Sequence, residues 1–391
     1  MGLNVHVYPS PLTHESRILR SVEVIERLGR FEKIIVVGVA GPGLPDEEAI
    51  SERILFKRIP RKFFANSTGF IAKILKTIEW SVRTFHYASS LSVTCVSAHS
   101  LAVLPLCAAI KARTGAILVY DTHELETEVH HLQGARKSIA KVVERSAIRS
   151  VDETIVVSDS IGVWYRETYP SLDPVTVRNL PATPHVIGTL SKANLRALLG
   201  LNNTDILFLY QGGLISGRGI ERLLRLFAAM PPHLHIAFLG DGPLSTYVES
   251  CAAEHVNIHR LSAVPPLEVV HYTRSADIGV CLTEKSCLSH EYSLPNKLFE
   301  YLLAGIPVIV PDLAEQRAIV EPNGFGWVLD TDDTHAAAFL SALSRTDIEA
   351  RKKAVQTQGR HFSWDEERSV LEAFYRTRVF PRIERKFANR S

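Results

Sequence analysis

The residues best placed to do chemistry lie in the run Ser293-Leu294-Pro295-Asn296-Lys297-Leu298-Phe299-Glu300-Tyr301-Leu302-Leu303-Ala304-Gly305-Ile306-Pro307-Val308-Ile309-Val310. Pro295 suits a first helical position, and Gly305 suits the residue that ends a helix before a buried strand. Lys297 and Glu300 are three apart and so share one helix face. Free amides at a helix N-terminus attract an anion, and Lys297 adds a full charge. Glu300 offers two acceptor oxygens, suited to vicinal hydroxyls such as a ribose diol. An anion site beside a diol reader describes a pocket for a nucleotide diphosphate. A plain amphipathic helix with a solvated Lys–Glu pair would give the same spacing, and a second stretch decides against it. From Tyr210 to Glu221 a strand runs into a loop holding Gly212, Gly213, Gly217 and Gly219, with a helix after it. Such glycines let the backbone approach a ligand closely, and Arg218 among them can grip phosphate oxygens with a bidentate fork. The spacing is not the dinucleotide fingerprint.

The elements that must position these residues alternate, strand then helix, which predicts an α/β protein with parallel sheets covered on both faces. In the first half the expected strands, after one at the N-terminus, are Lys33–Val39, Val93–Ser97, Ile117–Tyr120 and Thr154–Val157, with helices at Ser16–Leu28 and Lys137–Arg149. In the second half they are Ile206–Tyr210, Leu234–Leu239, Ile278–Leu282 and Pro307–Val310, with helices at Gly219–Ala229, Ser245–Ala253, Asn296–Ala304 and His335–Leu343. Gly38 to Gly43 reads as a loop. A Pro-bearing cluster at Asn179–Pro184 and the polar stretch after it mark a break between about residues 180 and 200. Two doubly wound domains joined there would face each other across a cleft at the carboxyl ends of their sheets.

Composition removes several alternatives. The 391 residues are too many for one compact core, and 46% apolar with 22% charged residues is globular. A net charge of +2 gives no support to a nucleic-acid partner. The five cysteines are scattered without metal-ligand spacing. The longest apolar run, Leu101 to Ile110, is far too short to span a bilayer, and the N-terminus lacks a secretory signal pattern. A soluble cytoplasmic protein is expected.

Taken in order, these stretches resemble the retaining glycosyltransferases of family 4, which have the GT-B fold of two facing Rossmann-like domains. The resemblance covers nearly the whole chain, including Tyr8 to Leu28, Tyr120-Asp121-Thr122-His123-Glu124-Leu125, Val157 to Ser160, Val177-Arg178-Asn179, the glycine loop, Leu239-Gly240-Asp241-Gly242-Pro243 and Ala276-Asp277-Ile278. It implies an acceptor domain over residues 1–185, a donor domain over 186–365, and a C-terminal helix over 366–391 packing back on the first domain. It places a UDP- or GDP-sugar against Gly212, Gly213, Arg218, Gly240, Asp241, Glu291, Tyr292, Ser293, Leu294, Lys297 and Glu300. Arg218 and Lys297 would hold the diphosphate, Glu300 the ribose, and His123 would orient the sugar and its phosphate. These three, His123, Arg218 and Lys297, are the implied catalytic set.

Two positions depart from the family pattern. Tyr292 stands where the family has a sugar-reading Glu, with Glu291 beside it, and Gly213 stands where many relatives carry an arginine. His14, Glu15 and Arg17, at the first strand–helix turn, suit the acceptor, and a capping role for Thr13 and its neighbours fits the same turn equally well. Asp330-Thr331-Asp332 spells a metal-binding pattern of another glycosyltransferase fold, but it opens a helix and reads as a cap. No metal and no cofactor are expected. The implied reaction moves the sugar to a glycan or lipid-linked acceptor in polysaccharide biosynthesis. A GT-B sugar-nucleotide epimerase and a catalytically silent GT-B subunit are the alternatives.

Residues 53–83 carry eight basic side chains (Arg53, Lys57, Arg58, Arg61, Lys62, Lys73, Lys76, Arg83) against Glu79. Ile71, Ile74, Leu75, Ile78, Val82 and Phe85 recur at helical spacing among them. An ordinary domain helix with a solvated basic face fits this pattern, and so does peripheral attachment to an anionic membrane.

Overall fold

The computed structural model describes residues 2–13, 15–63, 69–182 and 194–388. The chain divides into two compact units, Met1–Arg178 with Glu367–Ser391, and Asn179–Glu366.

The first unit is built on eight strands: β1 (Leu3–Val7), β2 (Ile34–Val39), β3 (Glu47–Ala49), β4 (Ile54–Ile59), β5 (Val93–Ala98), β6 (Ile117–Asp121), β7 (Glu153–Val156) and β8 (Val175–Thr176). They lie in the order β3-β4-β2-β1-β5-β6-β7-β8, parallel except for the antiparallel edge strand β3. Every residue of β2 and β6 is buried, and both read as near-continuous apolar runs, broken in β6 only by its last residue, Asp121. Helices α1 (Ser16–Arg27), α2 (Phe70–Ser89), α3 (Leu104–Thr114) and α4 (Gly134–Ile148) make crossovers between strands. α3 touches both α2 and α4, so these three form one layer over the sheet. Each follows a strand in sequence, so the connection into it leaves from the carboxyl edge of the sheet.

The second unit holds β9 (Ile206–Gln211), β10 (Leu234–Leu239), β11 (Ile258–Leu261), β12 (Ile278–Val280), β13 (Val308–Pro311) and β14 (Gly326–Leu329), in the order β11-β10-β9-β12-β13-β14. All neighbours are parallel, and the strand order reverses between β9 and β12. Alternate residues of β9 feed two cores: Ile206, Phe208 and Tyr210 on one face, Leu207 and Leu209 on the other. Tyr301 fixes the helix Asn296–Ala304 on this sheet. Its ring lies where a side chain at Gly279 would be, 2.2 Å from an ideal Cβ. Its hydroxyl donates to Leu209 O at 2.9 Å and accepts from the Gln211 amide at 3.0 Å.

Several elements depart from the expectation. β4 was hidden by Lys57 and Arg58, which interrupt its apolar run. Arg58 is nevertheless buried, its guanidinium donating to Pro11 O at 2.7 Å, Pro45 O at 3.0 Å and Glu48 at 2.7 Å. It ties two loops to the sheet and is removed from any basic surface. Gly38 and Val39 complete β2, as the expected strand Lys33–Val39 has them, so the loop read from Gly38 begins only after Val39; a Cβ at Gly38 would meet Ser10 O at 2.5 Å. The Leu101–Ile110 run supplies most of α3, with Pro105 in its first turn, where a missing amide costs nothing. Asp332 caps its helix through the Thr334 and His335 amides, as its pattern suggested. The last helices join the first unit, where Phe380 meets Phe31 and Arg382 pairs with Glu153 at 2.5 Å. Among the described residues no helix is long and apolar enough to cross a membrane.

Candidate functional site

In the second unit, the loop after β9 and the helix Asn296–Ala304 meet at the strand-order reversal. Gly219 has φ 75°, and a Cβ there would fall 2.4 Å from Leu282 O. Gly240, after β10, would place one 2.0 Å from Gly212 O, so this loop and the glycine loop touch through bare backbone. The helix Asn296–Ala304 has no side-chain cap and no acid in its first turn, which leaves its first amides open to an anion. Lys297 Nζ sits 3.6 Å from the centre of the Tyr210 ring, a desolvated cation–π contact beside Gly212. The Tyr210 hydroxyl donates to Gly213 O at 2.9 Å. Burial, with repulsion from the Arg218 guanidinium, lowers Lys297 to about 8. Among the described residues, neither Lys297 nor Arg218 has a carboxylate within ion-pair distance.

Glu300 is oriented from below. The buried Gln211 donates to its Oε2 at 2.5 Å and itself accepts from Thr273 Oγ1 at 2.7 Å. Asp241 is exposed, pairs with Arg260 at 2.6 Å and accepts the Ala263 amide at 3.0 Å, contacts that hold its carboxyl below the usual range. Glu291 pairs with Lys285 at 2.7 Å, and Tyr292 ends the four-residue helix Leu288–Glu291. Ser293 donates to His290 O at 2.8 Å, and Leu294 packs on the core.

The first unit gathers a different set at the carboxyl edge of its sheet. His6 Nδ1 is 2.8 Å from His99 Nε2, and His99 Nδ1 is 3.2 Å from Asp121 Oδ2 and 3.3 Å from His123 Nε2. Arg17 donates to Asp121 Oδ1 at 2.7 Å and to Val177 O at 2.9 Å. Burial alone would raise the Asp121 carboxyl, but Arg17 and the hydrogen bonds from His123 and His99 hold it well below the usual carboxylate range. Burial pushes His6 and His99 down, toward the neutral form. His123 is the member that reaches solvent, with 25% of its side chain exposed against 1% for His99, and its ring packs near Tyr8. His99, Asp121 and His123 form a group that could hold a metal ion, their ligand atoms lying within 4.8 Å of one another.

Residues 205–346 match the model of the family described as glycosyl transferases group 1. No curated protein matches the chain. Solved structures align over nearly its whole length. Sucrose-phosphate synthase from Thermosynechococcus elongatus superposes with a TM-score of 0.75 at 14% identity, over 96% of this chain and 98% of that one. Anabaena HepE in complex with UDP and glucose gives 0.70 at 13%, over 94% and 97%. The E. coli trehalose-6-phosphate protein bound with UDP-2-fluoro glucose gives 0.71 at 9%, over 95% and 99%. The fold is GT-B.

Within this GT-B chain, Gly212, Gly213, Arg218, Gly240, Lys297 and Glu300 lie around the carboxyl ends of β9 and β10 and the start of the helix Asn296–Ala304. Asp241 and Glu291 lie nearby but are engaged by Arg260 and Lys285. Arg17, expected either at the acceptor or at a cap, has a buried guanidinium that donates to Asp121 and Val177 O. Glu15 accepts from Ser10 at 2.5 Å and does not cap α1, and His14 lies outside the described residues. Gln211 and Thr273 were missed. A lone polar residue ending the apolar strand β9 was the available signal for Gln211. His6 and His99 were missed although each is a polar residue in or just after a buried strand.

Proposed function

We propose that the protein is a retaining glycosyltransferase that moves a sugar from a UDP- or GDP-sugar to a hydroxyl of a lipid-linked or polysaccharide-precursor acceptor. The observation that carries this is Lys297: a desolvated cation with no carboxylate at ion-pair distance among the described residues, set beside Arg218, an open helix N-terminus and a pre-oriented Glu300. A cation held that way lacks only an anion, and a nucleotide diphosphate supplies one next to a ribose diol. The group 1 match over this same unit supports the reading, as do GT-B neighbours described with UDP and UDP-glucose. As the bond from anomeric carbon to phosphate breaks, charge grows on the diphosphate, and Lys297, Arg218 and the helix amides stabilise it there. The acceptor hydroxyl attacks from the same face, passing its proton to the departing phosphate, so configuration is kept without a protein nucleophile. His123 orients the sugar and its phosphate. The reaction needs neither a cofactor nor a metal, and it runs at the cytoplasmic face of a membrane.

Incubation with a panel of UDP- and GDP-sugars, with and without lipid-linked acceptor, tests the reaction. Acceptor-dependent transfer supports it, and turnover without acceptor would make the protein an epimerase. Tyr292, with Glu291 engaged by Lys285, favours a second reading in which the donor binds and no transfer follows. The same panel separates that case. Glu300→Gln keeps the side chain's size and loses its charge, and nucleoside diphosphate affinity should fall about fivefold in calorimetry. Unchanged affinity would remove Glu300 from the ribose site.

A further inference from the structure

We propose that the layer formed by α2, α3 and α4 is a membrane-embedding face, broader than the basic segment 53–83, with α4 as its second anchor. The apolar stripe of α2 points outward. Ile71 is 72% exposed, and Ile74, Ile78 and Val82 are exposed with it, while Ala72, Trp80, Thr84 and Ala88 fill the buried side. α4 repeats the arrangement independently: Ile139 is 64% and Val142 69% exposed, with Val143 beside them. Between them, α3 presents only the small side chains Pro105, Ala109 and Ala112 among its exposed apolar positions. Two apolar ridges thus flank a low central helix in one layer, and exposed apolar side chains grouped in this way mark an interaction surface.

Charge identifies the occupant. The three helices carry nine Lys and Arg, three in α2, two in α3 and four in α4, against two acids, Glu79 and Glu144. Both acids are buried. Glu79 accepts the Lys62 and Phe63 amides, and Glu144 accepts the Tyr165 and Tyr169 hydroxyls. The helices' own outward charge is therefore basic, although Glu128, from the loop before α4, engages Lys137 and Lys141, and Asp152 engages Lys111 of α3 at 2.6 Å. Apolar side chains rimmed by cations fit an anionic bilayer, and a second copy of the same face would meet like charge. Position adds purpose. Val142 and Val143 lie just past the middle of α4, while Ile139 before them, and Ile71, Ile74 and Ile78 of α2, lie in the N-terminal halves of their helices. That is the carboxyl edge of the sheet, where His99 and His123 stand. A lipid-linked acceptor held in the bilayer would enter the unit at that edge. This extends the lipid-acceptor reading above and is measured apart from it.

The test is co-sedimentation of the full chain with phosphatidylcholine vesicles, with and without phosphatidylglycerol. Ile74→Asp with Ile78→Asp breaks the α2 ridge, and Ile139→Asp with Val142→Asp breaks the α4 ridge. All four sites are solvent-exposed, so melting curves and nucleotide affinity should stay as in the parent. The parent should bind anionic vesicles and release on added salt. Each pair should lower partitioning about tenfold or more, since each removes the burial of two large apolar side chains. Undiminished binding by the α4 pair would overturn α4 as an anchor. Equal recovery on neutral and anionic vesicles would overturn the membrane assignment. So would a parent that sediments as a dimer, dissolved by these substitutions and indifferent to vesicles. Nucleotide affinity reads the transferase proposal and vesicle recovery reads this one, so the two can fail separately.

Discussion

The two units each assemble a charged cluster at the carboxyl edge of a parallel sheet, and the clusters are built on opposite terms. In the first unit the charges cancel. Arg17 sits 2.7 Å from Asp121, and the three histidines around them are mutually hydrogen-bonded, with burial favouring neutral rings at His6 and His99. In the second unit they do not fully cancel, because Lys297 and Arg218 repel each other and, among the described residues, neither has a carboxylate within ion-pair distance, with Glu300 offsetting Lys297 only in part. A self-neutralised cluster is finished as it folds and can present a well-fixed imidazole, His123, to a neutral hydroxylic group. An uncompensated pair of cations is finished only by its ligand. Stability should therefore depend on the charges of the first unit, and binding on those of the second.

The largest effect that can break this comparison is on stability. Arg17→Met leaves Asp121 buried without its counter-charge and should cost about 3–5 kcal/mol in denaturant unfolding. Adding Asp121→Leu should restore most of that. The pH dependence must also change sign. With Arg17 present the Asp121 carboxyl lies well below its unfolded value, so its contribution is full above the ordinary carboxylate range and fades as pH falls. Without Arg17, burial raises the carboxyl, and the variant should lose stability as pH rises instead. A variant as stable as the parent at neutral pH would show that the pair is ornamental.

In the second unit the expected loss is in binding. Arg218→Ala or Lys297→Ala removes a charge-assisted contact to a buried anion, about 1.5–3 kcal/mol, or roughly tenfold to more than a hundredfold in nucleoside diphosphate affinity. Turnover should fall by more, since the contact strengthens as the leaving group charges. Neither change should lower the melting temperature, and relief of Lys297–Arg218 repulsion would raise it slightly. Affinity retained in both variants would displace the diphosphate from this site.

How much of this was legible depended on whether a feature is local. The glycine loop, the helix Asn296–Ala304 and the pairing of Lys297 with Glu300 lie within short stretches, and their geometry follows from caps, turns and helical spacing. The histidine cluster joins residues 93 and 24 positions apart. It exists only because β1, β5 and β6 are neighbours, which periodicity does not reveal. Arg58 misled for a related reason, since a cation in a basic run is normally solvated and only the loops folded over it make it buried. The α2 stripe shows a further limit. Spacing identified an apolar face but not its direction, because Ala72, Trp80 and Ala88 supply a second face that does the packing.

A smaller effect sharpens the same contrast through pH. Lys297, at about 8 in the free protein, is mostly charged at neutral pH and mostly neutral a unit or more above 8. A bound diphosphate favours the charged form and raises the value. Between the free and the bound values each unit of pH should therefore weaken nucleotide binding by up to about tenfold. The measurement belongs above pH 7, where the phosphate's own titration, with a pKa near 6, is nearly complete. Lys297→Arg should flatten the profile while keeping binding, because the guanidinium does not titrate there. A parent profile already flat from pH 7 to about 9.5 would mean that Lys297 does not face the ligand.

The smallest expected effect tests the first unit's neutrality directly. His99, Asp121 and His123 have the spacing of a three-ligand metal site, with separations of 3.2 and 3.3 Å close to those around a tetrahedral ion. Their charge argues otherwise. The set holds one carboxylate, Arg17 already neutralises it, and a divalent ion would add two uncompensated charges to a largely buried place. A carboxyl held well below its usual range by a guanidinium is also a weaker donor to a metal. The purified protein should therefore contain no stoichiometric zinc, and EDTA should leave its melting temperature and transfer rate unchanged. Arg17→Met is the informative control: with the guanidinium gone, the same three atoms should begin to bind zinc and recover stability on doing so. Stoichiometric zinc in the parent, or a melting temperature lowered by EDTA, would show that the neutralised cluster is a metal centre after all and that the contrast between the two units fails.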